Sequence, residues 1–297
     1  MRCPTCLIHI DGGYHELSEH IFSMQEKTDA DHITWINRYV SRNRTTEDEF
    51  EKLVKQVFET DDLKTWIIRK FIDKFFSKNP HYFLLKMQRP DRWTLLGYAY
   101  EHHHFLKQWV KSCSMIIANT DFEEIHHYEI DNIISEWHGE EGRFPAHHEL
   151  LLKMGESYGA TLDGIYNTAP LEPTIHAVKT WDYICRNFSF VEGMAAMHSL
   201  ELIANRKMKD YGASIGYFDP VILKDGSVTK ETVDFLKEGY QADVSHSEVA
   251  LDLIEKYAVR LNLVQEVQAV FFRSIEEFDN YLNARIERGV MIENEQH

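Results

Sequence analysis

Three carboxylate–histidine pairs lie three residues apart within apolar stretches of the chain. On an α-helix, residues i and i+3 project from neighbouring points on one face, so such a pair can bind one metal ion. The pairs are Glu101–His104, His198–Glu201 and Asp243–His246. Three carboxylates and three histidines suffice for two ions of iron, or of manganese, with coordination positions left open for dioxygen. We therefore predict a metal centre built from these six residues.

Their surroundings separate these pairs from others with the same spacing. Burying Glu101, Glu201 or Asp243 as an ion without a partner would cost several kcal/mol. Lys and Arg are sparse near them in the sequence, whereas histidines are close. The alternative to a metal centre is a buried Glu–His hydrogen-bond network. On a regular helix Glu192 would point about 180° away from Glu201, so both cannot face one centre. We rank Glu201 first and keep Glu192 as the substitute carboxylate.

The N-terminus carries a second set of metal-binding residue types. Cys3-x-x-Cys6 followed by His20 has the order of a Cys2His2 zinc finger, and zinc prefers four N or S ligands in a tetrahedron. The fourth ligand is His32 or His15, and we prefer His32 because the polar run KTDAD lets the chain fold back. A tail with chance Cys and His is the alternative, but so short a segment needs a metal to order itself. No basic helix face is present, so we interpret the module as structural or protein-binding.

Long helices must position these residues. The 297 residues contain only 7 Pro and 14 Gly, which is few for a fold of strands and turns. Apolar periodicity predicts helices at about 46–59, 62–78, 91–118, 123–137, 145–158, 173–187, 189–211, 229–257 and 262–288. We expect an all-α protein in which residues 1–45 form the zinc-finger-like module and residues 46–297 form one helical bundle.

Composition restricts the partners. The net charge of −16 disfavours binding to a phosphate backbone. The longest apolar runs fall short of the roughly 20 residues that a membrane span needs, and the N-terminus lacks an apolar signal core. We expect a cytoplasmic protein whose partners are a small-molecule substrate and dioxygen, without membrane or nucleic acid. A homodimer stays open.

Residues of about 60–285 resemble the haem-oxygenase-like helical fold shared by TenA thiaminases, PqqC and UndA-like di-iron oxidases. The segments that carry the resemblance are GYAYEHHHFLKQW, AAMHSLELIA and YQADVSHSEVALDLI. The resemblance implies a helical bundle with iron ligands from these segments, but it does not imply haem. One position departs from it: di-iron members have a histidine four residues before the Asp243 position, and Gly239 stands there. Either His198 substitutes for it, or the site holds one metal, or the site is a relic.

Three functional hypotheses follow. The first is a non-haem di-iron oxidase or oxygenase acting on a small organic substrate, with Tyr98 and Tyr100 shaping the pocket. The second is a metal-free hydrolase of the TenA type, which would need Cys185 as its nucleophile. The third is a non-catalytic interaction protein that joins a zinc module to an inactive bundle.

Overall fold

A computed structural model of the chain describes residues 1–139 and 145–296, and the side chains of residues 240–246 lie outside that description. The chain is 74% helical, which confirms the predicted all-α class. The α-helices in the described part are α1 (Tyr14–Glu26), α2 (Ala30–Trp35), α3 (Glu47–Phe58), α4 (Leu63–Phe71), α5 (Tyr82–Gln88), α6 (Arg92–Ala118), α7 (Glu123–Ile133), α8 (His147–Ser157), α9 (Leu162–Asn167), α10 (Glu172–Asn187), α11 (Phe190–His198), α12 (Lys230–Arg260) and α13 (Val264–Glu295).

Side-chain caps fix where several of these helices begin. Asp91 accepts a hydrogen bond from the backbone N–H of Thr94 at 2.7 Å at the start of α6. Thr46 and Glu49 form a capping box at the start of α3. Such caps satisfy N–H groups that have no partner within the helix. They set the register of the helices that carry the candidate residues.

Helices α6 and α13 meet at the centre of the bundle, where their backbones touch. A Cβ atom on Gly97 would lie 2.0 Å from the carbonyl oxygen of Arg285, and one on Gly289 would lie 2.5 Å from that of Trp93. Only glycine allows this approach at either position. The crossing therefore fixes the position of α13 relative to α6.

Short helices and irregular turns account for most differences from the predicted elements. Helices α5 and α9 have only 7 and 6 residues, too few for a clear period. The helix predicted at 189–211 ends as α-helix at His198 and continues as 3-10 turns at Ser199–Ile203 and Arg206–Lys209. A π-helical turn, Ile134–His138, ends α7. Such π-turns are often found at functional sites.

The N-terminal segment packs on the bundle. The Arg2 guanidinium lies 3.6 Å from the centre of the Phe188 ring, and its Nε lies 2.6 Å from Glu192 Oε1. Arg273 of α13 donates a hydrogen bond to the Thr5 carbonyl at 3.0 Å. Rings of α1 and α3 also meet, with Phe22 and Phe50 at 5.7 Å. In the described residues, no helix is long and apolar enough to cross a membrane.

Candidate metal centre

Four ligand atoms converge at the N-terminus. The Sγ atoms of Cys3 and Cys6 and ring nitrogens of His20 and His32 all lie within 4.8 Å of one another. Cys3 Sγ is 3.4 Å from His32 Nε2, and Cys6 Sγ is 3.4 Å from His20 Nε2. Tetrahedral zinc with ordinary Zn–S and Zn–N bonds separates its ligands by about 3.5 Å. The cluster therefore has the spacing that a zinc ion requires.

Neighbouring groups prepare these side chains for a metal ion. Asp29 Oδ1 lies 2.6 Å from His32 Nδ1, so Nδ1 carries the proton and Nε2 faces the thiols. The hydrogen bond from Cys3 lowers the pKa of Cys6, and His32 and His20 lower it further. His15, the other candidate, is exposed and pairs instead with Glu51 at 2.9 Å. The structure thus brings together the four residues that the sequence analysis preferred.

A cavity of about 80 Å³ lies in the bundle. Its walls are mainly aromatic and aliphatic, and its polar side chains come from several helices. These are Tyr98, His102, Trp109, Glu136, His147, Glu201, Tyr217 and Arg285. A water molecule needs on the order of 10–15 Å³ on the same scale. The cavity therefore has room for several waters or a small organic molecule.

A hydrogen-bonded triad of Glu129, His198 and Glu201 reaches the cavity through Glu201. His198 Nδ1 lies 2.7 Å from Glu201 Oε1, and its Nε2 lies 2.9 Å from Glu129 Oε1. Burial alone would lower the pKa of His198, but the charge of Glu129 and the hydrogen bonds to both carboxylates raise it to about 10. A protonated imidazole donates from both nitrogens and has no lone pair for a metal. In this arrangement both ring nitrogens of His198 are engaged by carboxylates, and its role as a metal ligand stays a prediction.

Two carboxylates remain available to a cation in the cavity. Glu201 Oε2 is buried without a hydrogen-bond partner, as is Trp109 Nε1. Glu136, on the π-helical turn, also lines the cavity. Burial and the charges of Glu201 and Glu238 raise the pKa of Glu136 to about 8. Sequence reasoning missed Glu129 and Glu136, since both lie in a stretch that reads as polar. Glu136 has no histidine at helical spacing, and His126, three residues before Glu129, is hydrogen-bonded to the Thr120 carbonyl instead.

Imidazoles and one guanidinium form the other end of the cavity. The ring centres of His102 and His147 are 6.3 Å apart. His102 Nδ1 accepts a hydrogen bond from Arg285 Nη2 at 2.9 Å. Burial, with the charge of Arg285 second, holds the pKa of His102 well below its usual value. Burial and the charge of His148 lower the pKa of His147 to about 4. Both imidazoles are therefore neutral near pH 7.

The first predicted pair is placed elsewhere. Glu101 Oε1 accepts a hydrogen bond from Arg288 Nε at 2.7 Å, and Glu101 Oε2 accepts one from the Thr174 hydroxyl at 2.5 Å. His104 Nε2 lies 3.1 Å from the Thr168 carbonyl oxygen. Neither residue lines the cavity. The structure therefore does not bring this pair together with His198 and Glu201. The buried Glu101 carboxylate is compensated by an arginine of α13, so it does not need a metal ion.

The remaining predicted residues have separate outcomes. Asp243 and His246 lie in α12, but their side chains are outside the described residues. Glu192, the substitute carboxylate, closes a capping box with Ser189 and pairs with Arg2, so it does not reach the cavity. Tyr98 lines the cavity, whereas Tyr100 does not.

The buried cysteines lie outside the cavity. Cys185 is 1% exposed, and burial raises its pKa to about 12. A thiol in that state is a weak nucleophile, so the structure gives the hydrolase hypothesis no support. Cys113 lies with Glu129 and His198, their ligand atoms all within 4.8 Å of one another. That group could hold a metal only if His198 gave up its proton.

Comparison with known proteins now identifies the bundle. Residues 66–288 match the family model described as TENA/THI-4/PQQC family. The chain belongs to the TENA/THI-4/PQQC family. This confirms the resemblance seen in the sequence. Residues 2–59 of this TENA/THI-4/PQQC chain match one copy of a C2H2 type zinc-finger model, which extends past the predicted module boundary at residue 45 and supports zinc as the ion of the N-terminal cluster.

A named relative of this TENA/THI-4/PQQC chain is the 4-aminobenzoate synthase of Nitrosomonas europaea. It is 26% identical over 171 residues, which make up 56% of this chain and 64% of the relative. The match thus covers less than two thirds of the relative's length.

The cavity fits a metal ion by its donors. Glu201 Oε2 has no partner, the carboxylate of Glu136 is close enough for its pKa to be raised by the charge of Glu201, and both residues line the cavity. Carboxylate oxygens are donors that suit iron or manganese. A divalent cation would satisfy the buried oxygen and offset the repulsion between the two carboxylates.

Proposed function

We propose that this chain is a non-haem iron oxidase or oxygenase that acts on a small organic substrate in the bundle cavity. The observation that carries the proposal is the unpartnered Oε2 of Glu201, a residue that lines the largely aromatic and aliphatic cavity together with Glu136. Family membership and the named relative support an oxidative activity at the level of the family. The relative's product, 4-aminobenzoate, is a small aromatic molecule that suits aromatic walls.

The ligand set that we propose differs from the one predicted from the sequence. Glu201 is kept from the predicted set, Glu136 replaces Glu101, and His104 and His198 are left out. Asp243 and His246 stay in the set on helical spacing alone, because positions four and seven residues after cavity-lining Gly239 fall on the same helix face. These four donors could hold one ion, or two ions if a shared carboxylate bridges them. When bound, iron or manganese would supply redox chemistry with dioxygen.

The chain's own residues would prepare the site. His198 donates a proton to a hydrogen bond with Glu201 Oε1 and thereby orients Oε2 towards the cavity. Glu129 holds the other side of His198. Trp109 and Phe105 line the wall and exclude water from the centre.

We propose a structural role for the N-terminal module, with one zinc ion held by Cys3, Cys6, His20 and His32. Four protein ligands fill the coordination positions of a tetrahedral zinc ion. This supports a structural role, because catalytic zinc keeps one position open. The contacts of Arg2 and Arg273 with the bundle argue that the module braces the fold.

Metal analysis after anaerobic reconstitution with ferrous iron tests both roles. We expect one zinc and about two iron ions per chain, or one iron if the site is mononuclear. A Glu136→Gln, Glu201→Gln variant should keep zinc and lose iron. Glu123→Gln, which changes an exposed carboxylate on α7, is the matched control and should keep both metals.

The result also separates the alternatives. A folded wild-type protein with one zinc and no iron would overturn the oxidase proposal and favour a non-catalytic zinc-module protein. Iron that persists in the double variant would instead show that the ligand set is wrong. Oxygen consumption by the reconstituted wild-type protein, measured with candidate substrates, then tests the activity itself.

A further inference from the structure

Arg285 is a buried cation whose charge has no carboxylate partner among the described residues. It is 2% exposed and lines the cavity. Its Nη2 donates hydrogen bonds to the Tyr281 hydroxyl at 2.7 Å and to His102 Nδ1 at 2.9 Å, while its Nε is buried without a partner. All of these acceptors are neutral. A buried guanidinium normally requires an anion.

Other buried cations in the same region are compensated. Arg288 of α13 pairs with Glu101 at 2.7 Å, and Arg273 of α13 pairs with Glu277. Lys74 pairs with Asp279 of α13 at 2.5 Å. Arg285 differs from these cations in two respects: it has no carboxylate partner within the part of the chain that the structure describes, and it lines the cavity.

Aromatic rings hold the guanidinium in place. The centre of the guanidinium lies 4.1 Å from the Tyr98 ring, 4.5 Å from the Tyr281 ring and 5.0 Å from the Phe83 ring. Rings attract a cation but do not neutralise it. The carbonyl of Arg285 also abuts Gly97, where α6 and α13 cross. The charge is therefore fixed at this end of the cavity before any ligand arrives.

We propose that the cavity binds a small organic acid whose carboxylate pairs with Arg285. Arg285 is the single Arg or Lys among the described lining residues, which suits a singly charged carboxylate better than a phosphate. A guanidinium binds a carboxylate with matched hydrogen-bond geometry. The aromatic walls suit an apolar body attached to that carboxylate.

The position of Arg285 also orients the ligand. His102 contacts Arg285, and Trp109 packs on His198 with ring centres 5.0 Å apart. His102 and Trp109 are seven positions apart on α6, which is about 10 Å along the helix. An acid held by Arg285 therefore turns its other end towards Glu136 and Glu201. This orientation rests on the proposed function, whereas the binding of the acid does not.

Calorimetric titration of the full-length, zinc-loaded and iron-free protein tests the proposal. The probes are benzoate and butyrate, with benzamide and butyramide as their neutral counterparts. We expect the acids to bind at least 10-fold more tightly than the amides. Arg285→Gln should abolish that preference, and Arg285→Lys should retain part of it. Arg186→Gln, at an exposed arginine of α10, should change neither affinity.

Each outcome decides the proposal. Equal affinity for acids and amides, or no binding of either acid to the wild-type protein, would overturn it. If Arg285→Gln fails to fold, as thermal unfolding would show, the preference of the wild-type and Arg285→Lys proteins decides instead. Because iron is absent from the titration, acid binding by a protein that fails to take up iron would overturn the proposed function and leave this inference intact.

Discussion

The N-terminal cluster and the bundle cavity use similar side chains in opposite ways. In the cluster, four donors from within 30 residues face one another, with their ligand atoms all within 4.8 Å of one another. In the cavity, donors come from helices that are distant in sequence, and several are held by pairing with other side chains before any ligand binds. We expect the cluster to need a metal ion in order to fold. In the cavity, by contrast, the packing of the helices must first bring together the donors of the proposed metal site. The following predictions would break or sharpen that contrast.

Removal of one cluster ligand should have the largest effect. His20→Ala takes away one of four donors without opening a large core cavity, because His20 is only partly buried. We expect zinc affinity to fall by more than about 100-fold, since loss of a supporting residue alone typically costs 10–100-fold. Residues 1–45 should then become sensitive to protease. Zinc competition with a chelator and limited proteolysis measure both effects.

Two histidine variants serve as controls for that experiment. His9→Ala changes an exposed histidine, and His15→Ala removes the alternative ligand. Both should retain one zinc. If His15→Ala releases zinc and His20→Ala does not, the cluster has been assigned wrongly.

Loss of Glu101 should destabilise the bundle without affecting its metal. Glu101→Gln leaves the Arg288 guanidinium buried without its counter-charge, which costs roughly 3–5 kcal/mol of unfolding free energy. The double variant Glu101→Leu, Arg288→Met should recover most of that loss, because an apolar pair needs no compensation. Urea denaturation measures stability, and iron content of the double variant checks the ligand set. Iron loss in a stable double variant would restore Glu101 as a ligand.

The core cysteines should contribute to alkaline instability, in contrast to the cysteines of the cluster. Burial raises the pKa of Cys185 from 9.0 to about 12. The unfolded chain therefore loses its thiol proton first, and the stability that the neutral thiol contributes is complete below pH 9 and is lost as pH rises towards 12. Between pH 9 and 10.5 this amounts to about 2 kcal/mol.

Replacement of Cys185 should remove that share of the pH dependence. Cys185→Ala lowers stability overall, but its unfolding free energy should decline less steeply with pH than that of the wild-type protein. Ile184→Val disturbs the same core helix without removing a titrating group, so its slope should match the wild type. A Cys185→Ala slope equal to that of the wild-type protein would contradict the prediction.

The smallest effect should come from the contact that joins the two regions. Arg2 pairs with Glu192 and stacks on Phe188. A double-mutant cycle with Arg2→Gln and Glu192→Gln should give a coupling energy of about 1 kcal/mol, because Arg2 is partly solvated. A coupling near zero would mean that the module and the bundle are energetically independent.

Much of the fold and the whole of the cluster were accessible from the sequence. Long apolar periods predicted α6 and α10 to within one residue and the start of α13 to within two, whereas α13 runs seven residues past its predicted end. Cluster ligands are close in sequence, so ordinary turn and helix spacing brings them together. The 3-10 turns after His198 were missed, because the apolar pattern continues through them and only the backbone geometry changes.

The cavity was harder to predict, because its polar groups are selected by tertiary packing. Spacing showed that Glu101 and His104 share a helix face, but not which face looks into the cavity. The scarcity of Lys and Arg near Glu101 in the sequence was misleading, since Arg288 reaches it from 187 positions away. His198 and Glu201 were found, but their partner Glu129 could not be inferred without the packing of α7 on α11.

The contact between Gly97 and Gly289 also limits how the cavity can change its width. Two backbones that already touch cannot approach further, and the carbonyl of Arg285 rests at the same crossing. The wall of the cavity at this crossing is therefore rigid, and it carries the charged side chain of Arg285. Any widening of the cavity must therefore come from its other lining elements, among them α12 and the π-helical turn at the end of α7, and we expect substitutions there to change the rate of ligand entry more than the geometry of the bound ligand.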